Sequence, residues 1–159
     1  MSTTIERPRE DVYEYLADIA NHAEFSDHYL VDWHLTRTDT YGQGAGARYR
    51  AKAPLQRFAW ADMVIAEMQA PYRILEHGRG GKYNRIRMLG VYTLQPASGG
   101  GTRVEYTFET EPSLLSDKIM ENLIVRSWTK RNAARAMRRL RSILEDDKRR
   151  GRRASYEEE

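Results

Sequence analysis

The sequence predicts an α+β domain: a curved antiparallel sheet of six to seven strands wrapped around one long C-terminal helix, with two short helices after the first strand. Three observations carry that expectation. From residue 29 onward most apolar side chains recur with a period of two, in stretches separated by glycine- or proline-rich turns. The stretch from Leu114 to Asp146 holds no proline or glycine and is rich in good helix formers. The later strands each have one greasy and one charged face, so their sheet needs a cover on a single side, and only that helix is large enough.

The elements follow in order. Met1 to Ile5 reads as a short strand, and Pro8 in Arg7-Pro8-Arg9-Glu10-Asp11 opens a helix in its first turn. Val12, Tyr15, Leu16 and Ile19 keep helical spacing. Asn21 to Phe25 reads as a second short helix, with Asp18 or Asn21 available as its cap and its end near Asp27-His28. Val31, Trp33 and Leu35 alternate with Asp32, His34 and Thr36, and Ala47, Tyr49 and Ala51 with Arg48, Arg50 and Lys52. The glycines at 42, 44 and 46 lie between these two strands and open no helix, so a hairpin turn suits them better than a phosphate loop.

Four more strands are expected over 58–68, 73–79, 85–94 and 102–110. Ile86, Met88, Tyr92 and Leu94 share a face of one, and Val104, Tyr106 and Phe108 of another, with Arg85, Arg87, Arg103, Glu105 and Glu109 opposite. In 58–68 the set Phe58, Trp60, Asp62, Val64 competes with Ala59, Ala61, Met63, Ile65, and the pattern leaves the inward face open. The C-terminal helix is entered through Glu111-Pro112-Ser113, with Ser113 as a cap. At 1.5 Å per residue it would run roughly 45–50 Å. Leu115, Ile119, Leu123, Ala133, Ala134, Met137, Leu140 and Leu144 form its main stripe, on which Arg126 and Lys130 also fall. Cations on a core-facing stripe point to packing against a space that is not uniformly dry.

Bulk properties narrow the function. At 159 residues the chain fits one domain, 1–146, followed by a charged tail, 147–159, expected to be disordered. The absence of cysteine excludes disulfides, zinc–thiolate sites and cysteine nucleophiles. No apolar run reaches membrane-spanning length and no signal peptide is evident, so a cytoplasmic location is expected. The net charge is +3, yet arginines crowd the last quarter before Glu157, Glu158 and Glu159. That basic end suits peripheral contact with an anionic membrane; without a recognised motif, nucleic acid is not an expected partner.

The order of elements resembles the helix-grip fold of the START-like SRPBCC superfamily, to about Glu145. The residues that carry the resemblance are Ile5-Glu6-Arg7-Pro8-Arg9-Glu10-Asp11-Val12-Tyr13-Glu14-Tyr15-Leu16-Ala17-Asp18, Gly44-Ala45-Gly46-Ala47-Arg48, the turn Glu67-x-x-x-Pro71-Tyr72-Arg73, and Gly101-Thr102-Arg103-Val104-Glu105-Tyr106-Thr107. That superfamily includes polyketide cyclases and dehydrases, lipid-transfer domains and the birch pollen allergens. The resemblance implies a ligand cavity between sheet and helix. It specifies no reaction, because the shared residues are turn and packing positions. One departure is the first strand: Ser2 to Ile5 is shorter than the family's, so either the strand is short or the chain begins upstream.

Candidate chemistry is sparse. His22 and His28, on the small helices, are expected to be solvated, and His34 to face outward if Trp33 faces in. His77, sharing a strand face with Leu75, is the leading candidate for a polar group in the cavity, with Asp62 and Glu76 as strand carboxylates able to move protons if desolvated. No histidine or carboxylate spacing suits a metal, and no cofactor is expected. The expected ligand-binding set is Trp33, Tyr49, Trp60, Met88, Tyr92, Tyr106, Phe108 and Leu123, with Arg126 and Lys130 for an anionic head group. The expected function is binding, with transport as its extension, of a hydrophobic or amphipathic small molecule such as a lipid, polyketide or isoprenoid. The alternatives are a cyclase- or dehydratase-like enzyme using the same cavity and an interaction module built on the basic helix. Oligomeric state is left open.

Overall fold

The computed structural model describes residues 1–55, 57, 59–120 and 124–156. Seven strands form one antiparallel sheet: β1 (Ser2–Ile5), β2 (Leu30–Leu35), β3 (Gly46–Ala51), β4 (Trp60–Gln69), β5 (Arg73–Gly80), β6 (Ile86–Pro96) and β7 (Thr102–Pro112). Their spatial order is β1-β7-β6-β5-β4-β3-β2, so the sheet is a meander whose first strand returns to pair with its last. It is curved and unclosed, with edges at β1 and β2. The helices are α1 (Arg9–Ala17), α2 (His22–Ser26), α3 (Leu115–Met120) and α4 (Arg126–Asp146). A 3-10 turn at Ile19–Asn21 links α1 to α2, capped where the Ala20 amide donates to Asp18 Oδ1 at 3.1 Å.

The strand faces sort as the alternation requires. Ala61, Met63 and Ile65 of β4, Ile74 and Glu76 of β5, Gly90, Tyr92 and Leu94 of β6 and Val104 of β7 are buried on the concave side. This settles β4, where the small alanines point inward while Trp60, Asp62 and Val64 point out. On the outer face Arg48 pairs with Asp62 at 2.8 Å and Arg50 with Asp32 at 2.7 Å. Register shifts in β2 and β4 add local bend. A Cβ on Gly78 would stand 2.0 Å from the Asp62 carbonyl, so only glycine allows β5 its approach to β4 there.

The core is driest at one end. Ile5, Val12, Leu16, Ile19, Ile74, Leu94, Val104 and Leu140 pack where α1, α2 and the C-terminal half of α4 meet the sheet. The buried residues of α4 are Ala133, Ala136, Met137, Leu140 and Ile143, all in its later turns. Toward its start the helix presents Arg126 and Lys130 instead, and there sheet and helix part.

Within the stretch 114–146 the described residues form α3 and α4, with residues 124–125 in a wider π turn before α4. Three expectations differ from the structure. Leu115 and Ile119 are 73% and 53% exposed rather than core-facing, because α3 stands off the sheet. Ser113 does not cap α3; its hydroxyl donates to the Arg85 carbonyl at 2.6 Å. The segment expected as a loose tail is packed over residues 147–156: the amides of Gly151 and Ala154 donate to the carbonyls of Glu24 (2.8 Å) and Ala20 (3.0 Å). Ala154 is buried in the core cluster, and Arg150 and Arg153 pair with Glu24 and Asp18. Opposite charges on α2 and its flanks hold the basic segment down. No helix among the described residues is long and apolar enough to cross a membrane.

Candidate functional site

Where sheet and helix part, a cavity of about 620 Å³ lies between the concave face of β3, β4, β6 and β7 and the first turns of α4. Its inner wall is apolar and aromatic: Leu30, Tyr49, Ala61, Met88, Phe108 and Trp128. Alanines supply much of the space, since Ala51, Ala53, Ala59, Ala61 and Ala133 all border it. Its rim comes from the loop after β3, the turn between β5 and β6, and the start of α4. A volume of this size falls within the range of small-molecule sites.

A smaller space of about 40 Å³ lies deeper and shares Tyr29, Leu30, Tyr49, Tyr106 and Ala133 with the larger one. Its polar lining is His22, Ser26 and Glu76 together with the tyrosines. His22 is 5% and Glu76 3% exposed. Ring atom Nε2 of His22 lies 2.8 Å from the Leu16 carbonyl, which can only accept, so Nε2 carries a hydrogen. Nδ1 then faces Glu76 Oε1 at 3.1 Å, so a proton on the imidazole at Nδ1 would point toward the carboxylate. Burial by itself pulls the histidine down; the Glu76 charge and the bonds to Glu76 and Leu16 outweigh it, leaving His22 above its ordinary value of 6.5. The approach is off-line, and Oε1 has no well-directed donor among the described residues.

Aromatic rings wall this floor. Tyr92 meets His22 edge-on at 5.6 Å and stacks on Tyr106 at 4.4 Å, and Trp33 lies 4.7 Å from Tyr49. Burial first, and then the nearby Glu76 charge, push the phenols of Tyr29, Tyr49 and Tyr92 up, so they stay neutral hydroxyls able to donate or accept. Gly90 keeps the floor open: a Cβ there would sit 3.1 Å from both Glu76 Oε2 and the Tyr106 hydroxyl.

The expected ligand set divides between the two spaces. Met88, Phe108, Arg126 and Lys130 line the large cavity, Trp33 and Tyr92 the small one, and Tyr49 and Tyr106 both. Trp60 reaches the rim, but its ring lies against His34 of the outer face. Leu123 lies outside the described residues. Of the expected proton carriers only Glu76 is at the cavity. His77 is exposed on the opposite face of β5, because Gly78 and Gly80 require that strand to turn its Ile74–Glu76 side inward. Asp62 is likewise outside, bound to Arg48.

Sequence reasoning missed His22, expected to be solvated. Its signal was its place midway between Ile19 and Phe25, three residues from each and on the face both bury. His28 is also not simply solvated: its ring lies 3.1 Å from the Asn132 carbonyl and 3.0 Å from Arg139. Among the described residues no group of three or more histidines and carboxylates is placed to hold a metal.

Comparison with known proteins bears on this site only through the fold. The family model described as polyketide cyclase / dehydrase and lipid transport matches residues 1–145. No curated protein sequence matches the chain. Among solved structures the chain is similar to TTHA0849 from Thermus thermophilus, at 17% identity and a TM-score of 0.69, over 91% of this chain and 94% of that one. It is also similar to CV1439 from Chromobacterium violaceum (18% identity, TM-score 0.64, 92% and 96% covered). A third is Ms6760 from Mycobacterium smegmatis (14% identity, TM-score 0.63, 91% and 88% covered).

Proposed function

Since the chain belongs to the polyketide cyclase/dehydrase and lipid transport family, we propose that it binds a hydrophobic or amphipathic small molecule between its sheet and α4. The observation that carries this reading is the cavity of about 620 Å³ with an apolar, aromatic inner wall and an opening at the start of α4. Apolar burial at roughly 25 cal/mol per Å² supplies affinity, and the polar groups of rim and floor set orientation. The protein then acts as a carrier or receptor, returning its ligand unchanged.

Native mass spectrometry of the purified protein, with tryptophan fluorescence during titration with fatty acids, isoprenoids and aromatic polyketides, tests it. Trp128 borders the cavity, so occupancy changes its emission. A co-purifying ligand or a saturable fluorescence change is expected. No bound mass and no change across the panel contradicts the reading.

The His22–Glu76 pair favours a second reading, in which the same cavity folds a reactive substrate and the pair moves a proton. A buried histidine–carboxylate pair beside neutral phenols is what a cyclisation or dehydration at the floor requires. Turnover of a polyketone substrate that Glu76→Gln abolishes while binding persists supports it. Binding without turnover leaves the carrier.

A further inference from the structure

Among the described residues the rim of the large cavity carries only cations. Arg57, Lys82, Arg85, Arg126 and Lys130 border it, and no carboxylate does among the described residues. Arg126 and Lys130 occupy the stripe that continues as Ala133, Met137 and Leu140, at successive spacings of four, three, four and three residues. Helix geometry therefore brings both over the opening rather than onto the outer face.

Several cations elsewhere are paired with carboxylates. Further along α4 and beyond it, Arg139 holds Asp27, Arg141 holds Glu145, Arg150 holds Glu24 and Arg153 holds Asp18. Arg126 and Lys130 hold no described carboxylate. Like charges around an apolar opening repel one another and raise the local potential, which attracts an anion and disfavours a cation.

We propose that the ligand is an anionic amphiphile, whose carboxylate, phosphate or sulfonate sits at the rim beside Arg126 and Lys130 while its apolar body fills the cavity toward Met88 and Phe108. This rests on the cavity-binding reading and adds the charge and direction of the ligand: head outward, tail inward. Arg126 offers paired donors to such a group, and Lys130 a point charge.

The test is calorimetric titration of the full chain with four amphiphiles of one tail: dodecanoate, dodecyl phosphate, dodecanol and dodecyltrimethylammonium, each at low and at physiological salt. The two anions are expected to bind roughly tenfold or more tighter than the alcohol, with the advantage shrinking as salt rises. The cation is expected to bind more weakly than the alcohol. Whether dodecanoate or dodecyl phosphate binds tighter separates a fatty-acid head from a phosphate head. In the Arg126→Gln/Lys130→Gln double variant the ratio of dodecanoate to dodecanol affinity should fall toward one, and Arg126→Lys/Lys130→Arg should restore it. Equal binding of alcohol and acid by the wild type, or an unchanged ratio in the double variant, overturns the inference and leaves the cavity reading standing. Failure of all four to bind overturns both.

Discussion

His22 meets Glu76 deep in the structure, and their pairing makes stability depend on pH in a defined direction. The folded-state value of His22 is raised above 6.5, so its contribution is fully present below that pH and is lost as pH rises through the folded value. His28 works the other way: burial first, and the Arg139 and Arg135 charges with it, lower its value, so its contribution is lost as pH falls below 6.5. The two windows do not overlap. Urea unfolding across pH 5 to 9 should show wild-type stability declining above about 6.5, and His22→Gln should lack that decline. An identical slope in both proteins would mean that the pair holds no extra proton. At the neighbouring Gly90, alanine would crowd Glu76 Oε2 and the Tyr106 hydroxyl, and a loss of about 1–3 kcal/mol is expected. A Gly90→Ala protein as stable as wild type would show that the floor yields freely.

Among the elements, the C-terminal segment behaves as part of the domain. Glu24 is buried on α2, accepts from the Tyr15 hydroxyl at 2.6 Å and is paired with Arg150. Removing the guanidinium leaves that carboxylate short of a donor, so Arg150→Met should cost about 1–3 kcal/mol in chemical unfolding. Arg141→Met, which breaks an exposed pair one turn apart on α4, should cost about 0.5 kcal/mol or less. Equal effects would contradict a packed segment. This segment was illegible in the sequence because a run of arginines reads as a solvated tail until the carboxylates that hold it, more than a hundred residues away, are known. Periodicity served well where one residue type dominated a face: Tyr49, Tyr92, Tyr106 and Phe108 were identifiable as inward. It misled at β5, where Leu75 outweighed the glycines that in fact set the inward face. It misled again at Leu115 and Ile119, which have helical spacing but no surface to meet.

At the scale of the whole molecule, one end is filled and the other hollow. The fold itself was legible, since element order, turn positions and the uncovered face of the sheet all follow from local pattern. The hollow was legible only as a hint: cations on the helix stripe and alanines on the strands. Its polar floor was not, because His22 and Glu76 stand 54 positions apart and only the pairing of the elements joins them. If the cavity is the working site, filling it should abolish binding without unfolding the protein. Ala61→Phe projects a ring into the space from a strand whose backbone pairing is unchanged, and should remove ligand uptake measured by native mass spectrometry. The most direct measurement is methyl NMR of methionine-labelled protein during titration with dodecanoate. Met88 borders the cavity, while Met68 lies at the far end of β4 beside Gly42. The Met88 methyl should shift saturably and the Met68 methyl should not; a stationary Met88 signal, or equal drift of both, would contradict binding between sheet and helix.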